Sequence, residues 1–202
     1  MLKRIIFSGL LILATVGCTI TQRFQFELNY AGRYEMDFDI TELAALSADS
    51  MDAVQDFFAD MDLDSIKTYY STFEGLSNIT VSKTKNVLHF GYDFSDLTAL
   101  NASLNTAGSL GLQLGDVGDK FSVTNGIFKY DIGNFDENYP DSLAEVLFFV
   151  DYDILMNFAQ EIESASGCSV LDDEKTIVMR GNFGDVVRNQ EALKVEVSFK
   201  NE

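Results

Sequence analysis

One histidine and two cysteines carry most of the reactive chemistry in this 202-residue sequence. His89 could act as a general base, because imidazole exchanges protons near neutral pH. No Gly-x-Ser-x-Gly elbow accompanies it, so the nucleophile of an α/β-hydrolase site is missing. A zinc centre needs more imidazole or thiolate than one His and two Cys supply, unless carboxylates contribute. Acids cluster at Asp131, Asp136, Glu137 and Asp141, with the amide of Asn138 among them, at Asp116 with Asp119, and at Asp172 with Asp173 and Glu174. None has the spacing of a calcium loop, so they read as solvated turns. The sequence does not set the carboxylate separation on which glycosidase chemistry depends. No catalytic, metal or cofactor site is therefore assigned. His89 is expected on the outer face of a strand, beside Ser82.

Cys18 stands in a different context. Lys3 and Arg4 precede an apolar run, Ile5 to Val16, and Gly17 lies immediately before the cysteine. A basic start, a short apolar core and a small residue at the junction describe an export signal. At about 1.5 Å per residue the run is too short for a ~30 Å hydrocarbon layer. Residues 1–17 are expected to be a removable signal peptide.

The end of that run, Leu13-Ala14-Thr15-Val16-Gly17-Cys18, resembles the lipobox of bacterial lipoproteins. Gly17 and Cys18 match it; Thr15 and Val16 depart from the usual Leu and Ala or Ser. The resemblance covers the first 18 residues. It implies cleavage before Cys18, a diacylglyceryl thioether on its sulfur, and acylation of the new amino group. Thr19 follows in place of the Asp that retains family members in the inner membrane, which implies an outer-membrane location facing the periplasm, or the outer face of the plasma membrane in a Gram-positive cell. The implied partners are a membrane, through the anchor at Cys18, and a protein of the cell envelope. Ordinary cleavage after Gly17 would instead leave Cys18 as a free thiol.

Removing the first 17 of 202 residues leaves 185, enough for one domain with a real core. That chain holds 12 Lys and Arg against 32 Asp and Glu, a formal charge of −20. Nucleic acid recognition needs clustered cations, and this balance argues against it. With Cys18 acylated, Cys168 has no intramolecular partner and is expected to behave as a small buried apolar residue.

The elements follow from periodicity. Residues 24–40 alternate strictly: Phe24, Phe26, Leu28, Tyr30, Tyr34, Met36, Phe38 and Ile40 share one parity. A bend near Ala31-Gly32-Arg33 is expected, because only an odd-numbered loop keeps one parity on one face of both arms. Helices are predicted on Met51, Val54, Phe57, Phe58 and Met61 behind Ser50, on Ile66, Tyr69, Tyr70 and Phe73 behind Ser65 with Gly75 as stop, and on Leu97, Leu100 and Leu104 behind Ser95. A turn at Lys85-Asn86 pairs Val81 with Phe90 and Ile79 with Tyr92. Asn125-Gly126, the strongest turn signal, pairs Val123 with Phe128 and Phe121 with Tyr130. A third hairpin at Asp173-Glu174 pairs Val170 with Ile177 and Cys168 with Met179. Residues 141–149 are read as helix, 150–160 as strand, 108–120 as a glycine-punctuated loop, and 193–199 as the last strand.

The expected fold is α+β: a curved antiparallel sheet built from hairpins, with three or four short helices on one face. Residues 18–23 are expected as a lipidated Cys and short tether, and 24–202 as a single domain. The runs Gly75–Ile79 and Phe94–Asn101 loosely resemble uncharacterised bacterial lipoproteins, which brings no activity with it. The leading function is a non-enzymatic, lipid-anchored interaction or structural module. The alternative is a carrier of a hydrophobic ligand, since the outline resembles half-barrel lipoprotein carriers.

Overall fold

Alternating apolar and polar side chains become strands because each face of a pleated backbone then meets a single environment. The computed structural model describes residues 17–42, 58, 61–105, 120–131, 150–185 and 193–200. In chain order they form β1 (Cys18–Phe26), β2 (Gly32–Asp39), α1 (Leu63–Tyr70), β3 (Leu76–Lys83), β4 (Val87–Phe94), α2 (Leu97–Asn105), β5 (Phe121–Thr124), β6 (Ile127–Asp131), β7 (Val150–Phe158), β8 (Ile162–Ser166), β9 (Ser169–Val170), β10 (Thr176–Asn182) and β11 (Lys194–Phe199). Thr41–Glu42 and Phe183–Asp185 are also helical. The α+β class stands. The strands divide into two sheets, ordered β3-β4-β2-β1-β7-β10-β9 and β5-β6-β11-β8.

β1 occupies the middle of the larger sheet, antiparallel to β2 and parallel to β7. Hairpin logic does not reach the parallel pair, whose partners Cys18 and Val150 are 132 positions apart. The first bend differs in place from the expected one. Phe26 pairs with Gly32, so the loop is residues 27–31, five residues and odd as parity demands. Tyr30 N–H donates to Glu27 O, Glu27 N–H to Ala31 O, and Ala31 N–H to Asn29 Oδ1. Leu28 and Tyr30 keep the apolar parity of a strand while lying in a turn, which is why alternation alone misplaces the bend. The expected tether is also absent: residues 18–23 are the beginning of β1.

The other hairpins follow their signals. Asn125 and Gly126 hold φ of 54° and 77°, and Phe121 pairs with Tyr130 and Val123 with Phe128. Val81 pairs with Phe90, but a bulge between Ser77 and Thr80, with Asn78 at φ 50°, breaks the register before Ile79 reaches Tyr92. Val170 pairs with Ile177; β9 starts at Ser169, so Cys168 stands just outside the ladder. Strand β7 covers most of the expected 150–160. The helices expected at 51–61 and 141–149 and the loop at 108–120 lie outside the described residues, apart from Phe58, Met61 and Lys120.

Helix α1 starts one turn before its expected cap. Asp62 accepts from Ser65 N–H at 3.1 Å, and its carboxylate also takes the Ser65 hydroxyl at 2.6 Å. At α2 the acceptor is Asp96, which takes Ala99 N–H at 2.9 Å. In both places an Asp three residues before the bonded amide displaces the expected serine. Tyr70 of α1 lies on Phe90, ring centroids 4.5 Å apart. Asn101 of α2 is 4% exposed and caps the start of β5: its amide donates to Phe121 O and its carbonyl accepts Phe121 N–H, both at 2.8 Å. A side-chain amide thus supplies what another strand would.

The core joins the two sheets through aromatic rings. Phe26, 4% exposed, has its ring centroid 5.0 Å from Phe128, 5.3 Å from Phe158, 5.7 Å from Phe121, 5.8 Å from Phe94 and 6.1 Å from Phe24. Phe158 continues the contact to Phe199 of β11 at 5.0 Å. Rings of opposed edge and face charge attract beyond their buried area, so this cluster fixes how the sheets meet.

Candidate functional site

Cys18 is the first residue of β1 and shares the inward parity of Ile20, Phe24 and Phe26. It stands opposite Val150 and is 8% exposed. Burial pushes its thiol pKa up, and the Asp39 carboxylate raises it further. A thiol held protonated is a poor nucleophile in this position. The strand therefore presents Cys18 as a core residue, and a chain attached to its sulfur needs the side chain outside that slot.

His89 lies where its parity predicts, on the outer face of β4 with Ser82 as cross-strand neighbour. Its Nδ1 is 2.7 Å from Asp37 Oδ1, and Arg23 Nη1 donates to Asp37 Oδ2 at 2.6 Å. Burial raises the Asp37 pKa, but the hydrogen bonds from Arg23 and His89 outweigh it and hold the carboxyl below its ordinary value. Four residues along β2, Arg33 binds Glu35 at 2.9 Å and Asp93 at 2.8 Å, and Asn78 donates to Asp93 at 2.6 Å. Arg180 and Asp153 pair at 3.2 Å on the same face, across β1 at β7 and β10. This face is a lattice of matched charges, each carboxylate already engaged. The sequence reading found His89 and Ser82 but not Arg23 and Asp37. Their pairing needs the true first-hairpin register, and the signal was the shared odd parity of both residues.

Cys168 is half-buried; burial raises its thiol pKa, and its Sγ lies 3.7 Å from Ser166 O. Where they are described, the acids at 172–174 lie in a turn and Asp131 ends strand β6. Asp173 accepts from Lys175 N–H, Thr176 N–H and the Thr176 hydroxyl, Glu174 pairs with Lys200 at 2.5 Å, and Asp131 with Lys194 at 3.2 Å. Residues 116, 119, 136–138 and 141 lie outside the described residues. Among the described residues no group of three or more His, Cys, Asp or Glu is placed to hold a metal, and no helix is long and apolar enough to cross a membrane.

Among the described residues, two depressions open on the surface. One, about 470 Å3, lies at the far end of β1 between Phe26, Glu27, Leu28, Asn29, Asn157 and Ala159. The other, about 530 Å3, runs between α1 and the edge strand β3, from Lys67 and Ser71 to Leu76–Thr80. Both open broadly to solvent, unlike an enclosed lipid cavity.

No protein-family model matches the sequence, and no curated protein matches it. Among solved structures, the chain resembles the NMR structure of the folded domain of the LppM protein of Mycobacterium tuberculosis. The TM-score is 0.53, the identity 12%, and the likeness covers 92% of each chain. At that identity what the two share is the α+β fold.

Proposed function

We propose that this chain is a lipid-anchored protein of the bacterial cell envelope that works through its surface as an interaction or structural module rather than by catalysis. The observation that carries the reading is the start of β1 at Cys18, directly behind a segment with the features of an export signal. The domain then begins at its own anchor, with no spacer, and sits against the bilayer. Thr19 at the second position supports the outer membrane, facing the periplasm. The raised thiol pKa values of the two cysteines favour a non-catalytic role.

Because Cys18 is buried in the folded strand, its acylation belongs to a stage before β1 closes on β7; afterwards the first residue stays outside the sheet. Several acyl chains, at ~0.8 kcal/mol per buried CH₂, hold such a protein to a membrane essentially permanently. Cys18→Ser tests the reading. Palmitate labelling should vanish and the chain should leave the membrane fraction. Unchanged fractionation and unchanged labelling would refute it.

A further inference from the structure

The end of the molecule opposite Cys18 has the makings of a contact site. Phe26 lies eight residues along β1 from Cys18, roughly 26 Å at about 3.3 Å per residue. β7 runs parallel to β1, so Phe158 and Ala159 reach the same end. There Ala159 N–H donates to Phe26 O, Phe158 N–H to Lys175 O, and Ile162 N–H to Glu174 O, tying three turns into one tip. Leu28 stands out of this tip, 64% exposed, on the lip of the depression of about 470 Å3. Its exposure is built in. Tyr30 holds φ of 60°, a conformation most side chains avoid, while its ring lies on Phe128 at 5.9 Å. The turn is thus pinned from below, with Leu28 outward.

The rim is acidic. Exposed Glu27, Glu161, Asp172, Asp173 and Glu174 outnumber Lys175 and Lys200 in these turns, and Lys200 is shared by Glu161 and Glu174 at 3.1 and 2.5 Å. A second copy would set this rim against itself, and like charges in apposition cost specificity and affinity. We infer that the tip built from Leu28, Phe26, Ala159 and Glu27 docks a protein segment presenting an apolar side chain flanked by Lys or Arg. Placing this site away from the bilayer rests on the anchor at Cys18.

The test uses the full-length chain in its own cells, with a photoreactive benzoylphenylalanine in place of Ala159, whose side chain is exposed and makes no hydrogen bond. The same group in place of Val123 on β5 is the control. The expected result is one protein adduct at 159 and not at 123, with the crosslinked peptide carrying Lys or Arg beside the modified residue. Leu28→Ser should lower its yield about tenfold, the loss of one buried leucine contact, and Glu27→Lys about threefold, as for a rim ion pair. Both positions lie in an exposed turn, so the thermal midpoint should stay within a degree or two. No adduct, a self-adduct, a lipid adduct, or an acidic crosslinked peptide overturns the docking site. Fractionation of the same variant separates the two ideas: a palmitate-labelled membrane protein without the adduct sinks the tip alone, whereas an unlabelled soluble chain sinks the anchor.

Discussion

Removing the ring of Phe26 tests whether the two sheets share one core. Phe26→Ala takes out a side chain that is 4% exposed and touches five other rings. Phe-to-Ala changes in cores cost about 3–5 kcal/mol, transfer and cavity together. Ring pairs add about 0.5–1.5 kcal/mol each, but five pairs on one residue are coupled and do not sum. A loss of about 4 kcal/mol is expected, which at roughly 2–4 °C per kcal/mol for a chain of this length lowers Tm by about 8–16 °C. Phe26→Leu keeps much of the volume and should cost about 1.5 kcal/mol. The assay is urea unfolding of residues 18–202 carrying Cys18→Ser, followed by far-UV circular dichroism and tyrosine fluorescence, since the chain has no Trp. If Phe26→Ala loses less than about 1.5 kcal/mol with an unchanged denaturant slope, the aromatic cluster does not join the sheets and the account of the core is wrong.

Other substitutions separate backbone, hydrogen-bond and charge effects. Asn101→Leu leaves Phe121 N–H and C=O without their partners in a buried site, so a loss of about 2–4 kcal/mol and faster amide exchange at Phe121 are expected. Gly126→Ala should cost about 1 kcal/mol from its φ of 77° alone, because an added Cβ meets no atom within 4 Å. Gly75→Ala carries a similar backbone cost and also drives a Cβ to 2.5 Å from Ser95 Oγ and 2.8 Å from Ala99 Cβ, so its unfolding midpoint should fall clearly further. Asp37 titrates below its ordinary value when folded, so its contribution is present above about pH 4 and disappears as pH falls through the lower folded value. Asp37→Asn should flatten the stability–pH curve below about pH 4, and equal acid sensitivity of the two chains would contradict the Arg23–Asp37–His89 arrangement.

Much of the fold was legible because one physical rule, period two with a shared parity, governs most of the described strands. It gave the Asn125-Gly126 hairpin to the residue and the Val81–Phe90 and Val170–Ile177 pairs. It failed where a turn preserves the rhythm of a strand, at Leu28 and Tyr30. It was silent where partners are far apart in sequence, as in β1 with β7. The helix caps differ from expectation because the Asp62 and Asp96 carboxylates, not the Ser65 and Ser95 hydroxyls, accept the first-turn amides. At the site, Cys18 was named from its neighbours in sequence, but its place opposite Val150 and the Asp39 charge that raises its pKa come only from tertiary structure. Asn101, the tie between α2 and β5, carries no local signal at all, since a buried amide and a solvated one look the same in a sequence.

The parallel pairing of β1 with β7 also sets an order of events. In a chain threaded N-terminus first, the middle strand emerges at once, yet one of its two neighbours is still 132 positions behind. Until Val150–Phe158 has come through, that flank of β1 is an open edge, able to recruit a stray strand. Closure of this flank is consequently late, and a holdase that shields the waiting edge should raise yield more than a catalyst of any local step. On the proposed anchoring at Cys18, the same delay leaves a modifying enzyme time to reach that sulfur before β1 pairs with β7.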